Sequence, residues 1–188
     1  KIAYIFVQFD AIIMEKIIYN SIQSSEGGGN VANRYLLPIY KVLYDCDFSY
    51  SDFDKRMEMQ KGIYLLQDMG VPVGDYGFRW YRHGPYSQEL QDDMYYEDGK
   101  ERYTLSLSEE NAESVNRLYN IIHSSKRENY TMSRWVEALA SLHYLHENIL
   151  SFNANAEDVV AELEKRKPHL DNHEANLSAF ELVEGLFR

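Results

Sequence analysis

Residues 51–72, SDFDKRMEMQKGIYLLQDMGVP, decide the fold because they contain the clearest helical pattern in the chain. The pattern consists of apolar residues at spacings of four, three and three: Met59, Ile63, Leu66 and Met69. Such spacings place the four side chains on one face of an α-helix. A capping box of Ser51 and Asp54 favours the helix start. Gly70 suits the position after the last turn, and Pro72 prevents continuation.

A strand, a turn and a second helix are predicted for residues 76–87, YGFRWYRHGPYS. In residues 76–81, the aromatic residues Tyr76, Phe78 and Trp80 occupy every second position, which is the period of a β-strand. Gly84-Pro85 predicts a reversal of the chain, and Ser87 is a suitable N-cap for the helix after it.

The rest of the chain adds one more alternating segment, Tyr103–Leu107, and several amphipathic helices. Helices are predicted within 31–44 around Pro38, from Ser108 to Ile122, from Thr131 to Ile149, from Ala156 to Lys167 and after a capping box of Asp171 and Glu174. The 131–149 helix carries one apolar stripe: Trp135, Leu139, Leu142, Leu145 and Ile149. The fold class is therefore mainly α with a small two-stranded β element (α+β), a helical bundle for which a winged-helix-like core is one arrangement.

Composition and charge narrow the function classes. The 188 residues have 45% hydrophobic and 26% charged residues, which excludes a disordered tail, a collagen-like fibre and a disulfide knot. The net charge of −11 opposes nonspecific binding to phosphate, and no 50-residue section of the chain is net basic. A single cysteine, Cys46, allows no intramolecular disulfide and indicates the reducing cytoplasm. We therefore expect a cytoplasmic protein, with nucleic acid an unfavourable ligand.

The N-terminal part differs in character from the rest of the chain. Residues 1–13 form an apolar run that is too short to span a bilayer, and Met14 is an alternative start. Residues 24–30, SSEGGGN, are typical of a loop or tether. We therefore expect no membrane association.

The densest candidate site is the segment from Arg79 to Ser87. It combines cations, aromatic residues and a rigid turn in nine positions: Arg79, Tyr81, Arg82, His83, Gly84, Pro85, Tyr86 and Ser87 around Trp80. Arg79, Tyr81 and His83 fall on the strand face opposite Tyr76, Phe78 and Trp80, so they are predicted to bind a partner. The alternative is purely structural, since a bend between a strand and a capped helix by itself requires glycine, proline and serine.

Two motifs carry a resemblance to known families. Residues 60–67, QKGIYLLQ, followed by 78–90, FRWYRHGPYSQEL, resemble the YwgA-type uncharacterised family and the related SocA-like Panacea domain. Residues 135–145 and 165–170 are similar to the closing helices of these families. The resemblance covers residues 54–186, which implies a helical domain at 51–188 and leaves 1–50, an extension with a first helix, outside it. It also implies an antitoxin-like protein that binds a partner toxin.

Metal and catalytic motifs are weak. His143 and His146 lie three residues apart on a helix, and His169 and His173 lie four apart, but two ligands do not make a zinc site. Ser87 and His83 do not suggest a catalytic pair, because they lie only four residues apart across a turn. We therefore predict no metal, no cofactor and no catalytic residue.

Three functions remain, in order of preference. The first is a non-enzymatic protein-binding module of bacterial or phage origin, with a cognate toxin as its partner and a homodimer as a further option. The second is a winged-helix-like DNA-binding transcriptional regulator that reads DNA with the 51–69 helix. The third is an enzyme of unknown chemistry that uses Arg79, Tyr81 and His83.

Overall fold

The computed structural model describes residues 33–100, 105, 107–127, 130–151 and 153–187. These residues form seven α-helices, one short 3-10 helix and one two-stranded antiparallel sheet. The helices are α1 (Leu36–Tyr44), α2 (Phe53–Asp68), α3 (Gln88–Glu97), α4 (Glu109–Ile122), α5 (Met132–Asn148), α6 (Ala156–Arg166) and α7 (His173–Glu184). The strands are β1 (Arg79–Tyr81) and β2 (Gly84–Tyr86), and the 3-10 helix is Ser125–Arg127. The predicted α+β class is confirmed.

Helix boundaries agree with the predicted caps, with two shifts. Ser87, Ser108 and Thr131 cap α3, α4 and α5 through hydrogen bonds that their side chains accept from the first turn. Asp52, rather than a box of Ser51 and Asp54, caps α2. Asn172 likewise caps α7 in place of the expected Asp171. In both cases the N-cap lies one residue after the predicted one. Its backbone is extended, and its side-chain oxygen accepts hydrogen bonds from free N–H groups of the first turn.

The two-stranded sheet is a tight hairpin, which corrects two details of the prediction. The chain reverses at Arg82 and His83, and Gly84–Tyr86 pairs back onto Arg79–Tyr81 as the second strand. Gly84 has a φ of +84°, a left-handed conformation that glycine adopts without strain, and this lets the chain turn back before Pro85. Of the strand predicted at Tyr103–Leu107, the structure describes only Leu105 and Leu107, and neither is in a strand.

The core lies between α2 and α5, as the apolar stripes predicted. The four stripe residues from Trp135 to Leu145 are fully buried, and so are Ile63 and Leu66 on the facing helix. Helix α7 covers another side of α5, and α1 packs on α2 and α4. Leu36, Ile39 and Leu43 of α1 belong to the same core as the later helices. The tether predicted at 24–30 lies outside the described residues.

None of the helices in the described part of the chain combines the length and the apolar character that crossing a bilayer requires.

Candidate functional site

Helix α2 holds the segment that leads into and out of the hairpin by its backbone. The side-chain amide of Gln67 donates to the carbonyl of Tyr76 at 3.0 Å and accepts from the N–H of Tyr76 at 2.8 Å. Gln60, two helical turns earlier, makes the same pair of bonds with the backbone of Ser87, at 2.8 and 2.9 Å. Each glutamine therefore replaces a neighbouring strand, and together they fix both ends of the 76–87 segment.

A buried lysine fixes the middle of this segment. Lys61 is 2% exposed, and its ammonium group donates to the carbonyl of Pro85 at 2.8 Å. Burial disfavours the charged form and lowers the pKa of Lys61 to about 7, although the charge of Glu137 acts in the opposite direction. Gln60 and Lys61, neighbours on α2, thus both support the hairpin backbone.

A second buried lysine holds the hairpin tip from the other side. Lys167, at the end of α6, donates to the carbonyl of Arg82 at 2.7 Å and to Glu137 of α5 at 2.8 Å. Both charged side chains are 1% exposed. Burial lowers the pKa of Lys167, while Lys167 and His169 outweigh burial and lower the pKa of Glu137. The turn is therefore anchored to a buried ion pair.

The hairpin directs a different set of side chains toward solvent. Arg79, Tyr81 and Arg82 are exposed, with Tyr81 at 57%. Tyr86 is half-buried, and its ring centroid lies 5.5 Å from that of Tyr81. His83 is partly exposed at the tip. We call these five residues, Arg79, Tyr81, Arg82, His83 and Tyr86, the hairpin surface.

The other predicted site residues are buried and form the frame of this surface. Gly84 and Pro85 lie inside strand β2, and Ser87 caps α3 while its hydroxyl donates to Glu89 at 2.8 Å. Trp80 packs inward against Tyr144, with its ring centroid 5.8 Å away. The structure thus brings the eight candidate residues together but divides them into exposed and supporting groups.

A further exposed aromatic residue lies next to the hairpin surface, and the sequence patterns did not indicate it. Phe53, at the start of α2, is 52% exposed and lies edge-on to the ring of His83, with centroids 5.3 Å apart. The guanidinium of Arg56 lies 5.7 Å from the centroid of Phe53. The high tyrosine content, 16 residues, indicated that the protein has an aromatic binding surface, but it did not indicate where on the fold that surface lies.

Replacing Gly84 with alanine tests the frame of the hairpin. A Cβ at this position would overlap the hydroxyl of Ser141 on α5, and the positive φ adds strain. Left-handed backbone costs a non-glycine residue about 1–2 kcal/mol, and overpacking adds about 1–3 kcal/mol. Gly70→Ala is the matched control, since Gly70 has a φ of +81° and the described part of the chain places no neighbouring atom within 4 Å of such a Cβ.

We therefore expect urea unfolding to show a larger loss of stability for Gly84→Ala than for Gly70→Ala. Adding Ser141→Ala to Gly84→Ala removes the overlapping hydroxyl and should restore part of the difference. Equal losses for the two glycine variants would show that the hairpin does not pack tightly on α5.

A second polar cluster lies toward the C-terminal end of α5. His143 is 3% exposed and lies between Asp68 of α2 and Glu184 of α7, at 2.5 and 3.4 Å. Its ring also stacks on Phe187, with centroids 3.9 Å apart. His146 lies 3.1 Å from the other oxygen of Glu184. The predicted pair His143 and His146 is therefore brought together around one carboxylate, whereas His169 pairs with Glu137 and His173 with Glu157 and Glu164.

The pH dependence of stability should report the charge of His143. Burial opposes that charge, but hydrogen bonds to Asp68 and Glu184 outweigh burial and raise the pKa of His143. A raised pKa stabilises the fold fully below the unfolded value of about 6.5, and this contribution is lost as pH rises through the folded value. The advantage of wild type over His143→Gln in urea unfolding should thus be largest near pH 6 and shrink toward pH 9. A difference that is constant or grows with pH would contradict this account.

Helix α2, which the sequence predicted as a DNA-reading helix, is largely buried. Its residues 57–66 are all buried, and they include Lys61, which a groove-binding helix would need at its surface. The other two cations of this helix, Lys55 and Arg56, are partly exposed, and Arg56 donates to the carbonyl of Tyr50. The helix predicted to read DNA is thus the central core helix of the fold.

No protein-family model matches the chain, and no curated protein or solved structure matches it.

Proposed function

We propose that this chain is a non-enzymatic protein-binding module that contacts its partner through the hairpin surface. The main support is that buried side chains hold the hairpin backbone while Arg79, Tyr81 and Arg82 are exposed. Arginine and tyrosine are the residue types that most often anchor interfaces. A backbone that is already fixed loses little entropy when a partner binds.

The partner we propose is a basic protein with acceptor groups for the hairpin arginines. The net charge of −11 attracts a basic protein at long range and repels a second copy of this chain, so a homodimer is less favoured. The resemblance to the Panacea domain supports a toxin as the specific partner, which this chain would neutralise as an antitoxin. The unpaired Cys46 supports the cytoplasm as the place where this happens.

The test is co-expression of the chain with the product of its adjacent gene. We expect co-purification of the two proteins and relief of any growth inhibition that the adjacent product causes. Arg79→Ala combined with Tyr81→Ala should abolish both effects, because this variant removes two exposed anchors without touching the frame. Its circular dichroism and thermal unfolding should match those of wild type.

The matched control combines Arg134→Ala with Tyr96→Ala, which removes one exposed arginine and one exposed tyrosine from outside the hairpin surface. This variant should bind as wild type does. Full binding by the Arg79 and Tyr81 variant would exclude the hairpin surface, and loss of its helical spectrum would assign these residues to the fold.

A DNA-binding regulator is the second candidate function. It is supported by the order of a helix followed by a two-stranded hairpin, which is typical of winged-helix proteins. The burial of α2 and the acidic charge of the chain weigh against it. Specific, submicromolar binding to the promoter of its own gene in a gel-shift assay at physiological salt would favour the regulator over the protein-binding module.

A further inference from the structure

Three side chains from distant parts of the chain meet at the hairpin tip. His83 comes from the turn of the hairpin, Glu137 from the middle of α5, and His169 from the turn after α6. Nδ1 of His83 is 3.3 Å from Oε1 of Glu137, and Nε2 of His169 is 3.0 Å from Oε2. The three donor atoms all lie within 4.8 Å of one another.

Two imidazoles and one carboxylate are the three protein ligands of many zinc sites that keep one position open. With bonds of about 2.0–2.2 Å, the ligand atoms of a tetrahedral ion stand about 3.3–3.6 Å apart. Here the two histidine nitrogens lie 3.3 and 3.0 Å from the two oxygens of Glu137, one on each. Since the three donor atoms lie within 4.8 Å of one another, rotation of the side chains can bring them onto one ion. Both histidines are partly exposed, at 40% and 37%, so an ion can enter from solvent.

A second observation points to a missing ligand. Nδ1 of His83 is buried from solvent and has no hydrogen-bond partner among the described residues, because its approach to Glu137 lacks hydrogen-bond geometry. A buried polar atom without a partner costs free energy, and coordination to an ion would satisfy it.

The carboxylate between the two histidines is already fixed. Lys167 bonds Glu137 at 2.8 Å and is itself anchored on the carbonyl of Arg82. Outer partners of this kind hold ligating carboxylates in metal sites. The lysine charge also repels a cation and therefore weakens its binding.

We propose that His83, Glu137 and His169 bind one divalent transition-metal ion of the Zn²⁺ class, with a coordination position open to solvent. The site would link the hairpin to α5 and to the end of α6. It shares His83 with the hairpin surface, but Arg79 and Tyr81, the two residues whose replacement tests partner binding, do not belong to it. It also revises the expectation from the sequence that the chain binds no metal.

The test titrates the chelator-treated, full 188-residue chain with Zn²⁺ by calorimetry and with Co²⁺ by visible absorption. We expect one ion per chain and the d–d bands of tetrahedral or five-coordinate Co²⁺. His83→Ala and His169→Ala should each weaken binding by at least about ten-fold. NMR resonances of the imidazoles of His83 and His169 should shift on addition of Zn²⁺ to the wild type, which gives a readout that requires no variant.

Two control variants locate the site. His173→Ala removes a comparably exposed histidine at the start of α7, close in sequence to His169. His146→Ala removes the histidine that lies near Glu147 and Glu184, which form a second group with converging donor atoms. Both should bind Zn²⁺ as wild type does. The proposal is overturned by an absence of saturable binding, by loss of binding in only one of the two ligand variants, or by loss in His146→Ala with His83→Ala unaffected.

Discussion

Replacing Glu137 with alanine is expected to lower the free energy of unfolding by about 3–5 kcal/mol, because it leaves the buried charge of Lys167 without its counter-ion. Lys167 is 1% exposed, so its charge is shielded from bulk water in the wild-type fold. Within the described part of the chain, the carbonyl of Arg82 would then be its one remaining hydrogen-bond partner. Urea unfolding monitored by circular dichroism measures the change.

Two further variants separate the ion pair from other effects. Asp47→Ala removes one partner of an exposed pair with Lys41 and should cost about 0–1 kcal/mol. Glu137→Leu combined with Lys167→Met replaces both buried charges by apolar groups and should recover most of the stability. A Glu137→Ala variant as stable as Asp47→Ala would show that this ion pair does not anchor the hairpin.

Leu142→Ala should cost about 2–5 kcal/mol, since it opens a cavity in the packed contact between α5 and α2. Leu142 is fully buried on the stripe of α5. The matched control is Ile149→Ala, because Ile149 comes directly after the same helix but is 37% exposed. That variant should stay within about 0.5 kcal/mol of wild type. Equal unfolding midpoints for the two variants would contradict a core packed between α2 and α5.

The helices could be predicted because large apolar residues recur in the sequence with the helical period. The stripe from Trp135 to Leu145 and the spacing from Met59 to Leu66 mark the faces that meet in the core. They did not predict that burial extends around both helices, over residues 57–66 and 135–143. The second strand could not be found in this way. Gly84-Pro85-Tyr86 has no alternating pattern, and its pairing depends on a left-handed glycine and on contacts with α5.

The site could be predicted only in part. Sequence patterns found the exposed arginine and tyrosine residues of the hairpin, since these are local. They missed Lys61, Glu137 and Lys167, because lysine and glutamate are normally exposed and their partners here lie 24 to 85 residues away. A charged residue inside the apolar run 135–142, WVEALASL, was the available signal for Glu137.

The way in which Gln60, Lys61 and Gln67 hold the hairpin has a consequence for how such a protein can evolve. The hydrogen bonds that these side chains make to the 76–87 segment all end on main-chain atoms, those of Tyr76, Pro85 and Ser87. Substitutions at Arg79, Tyr81 or Arg82 therefore leave every one of these bonds in place. One unchanged scaffold can thus acquire new binding preferences by changing a few outward residues, much as antibody loops vary on a constant framework.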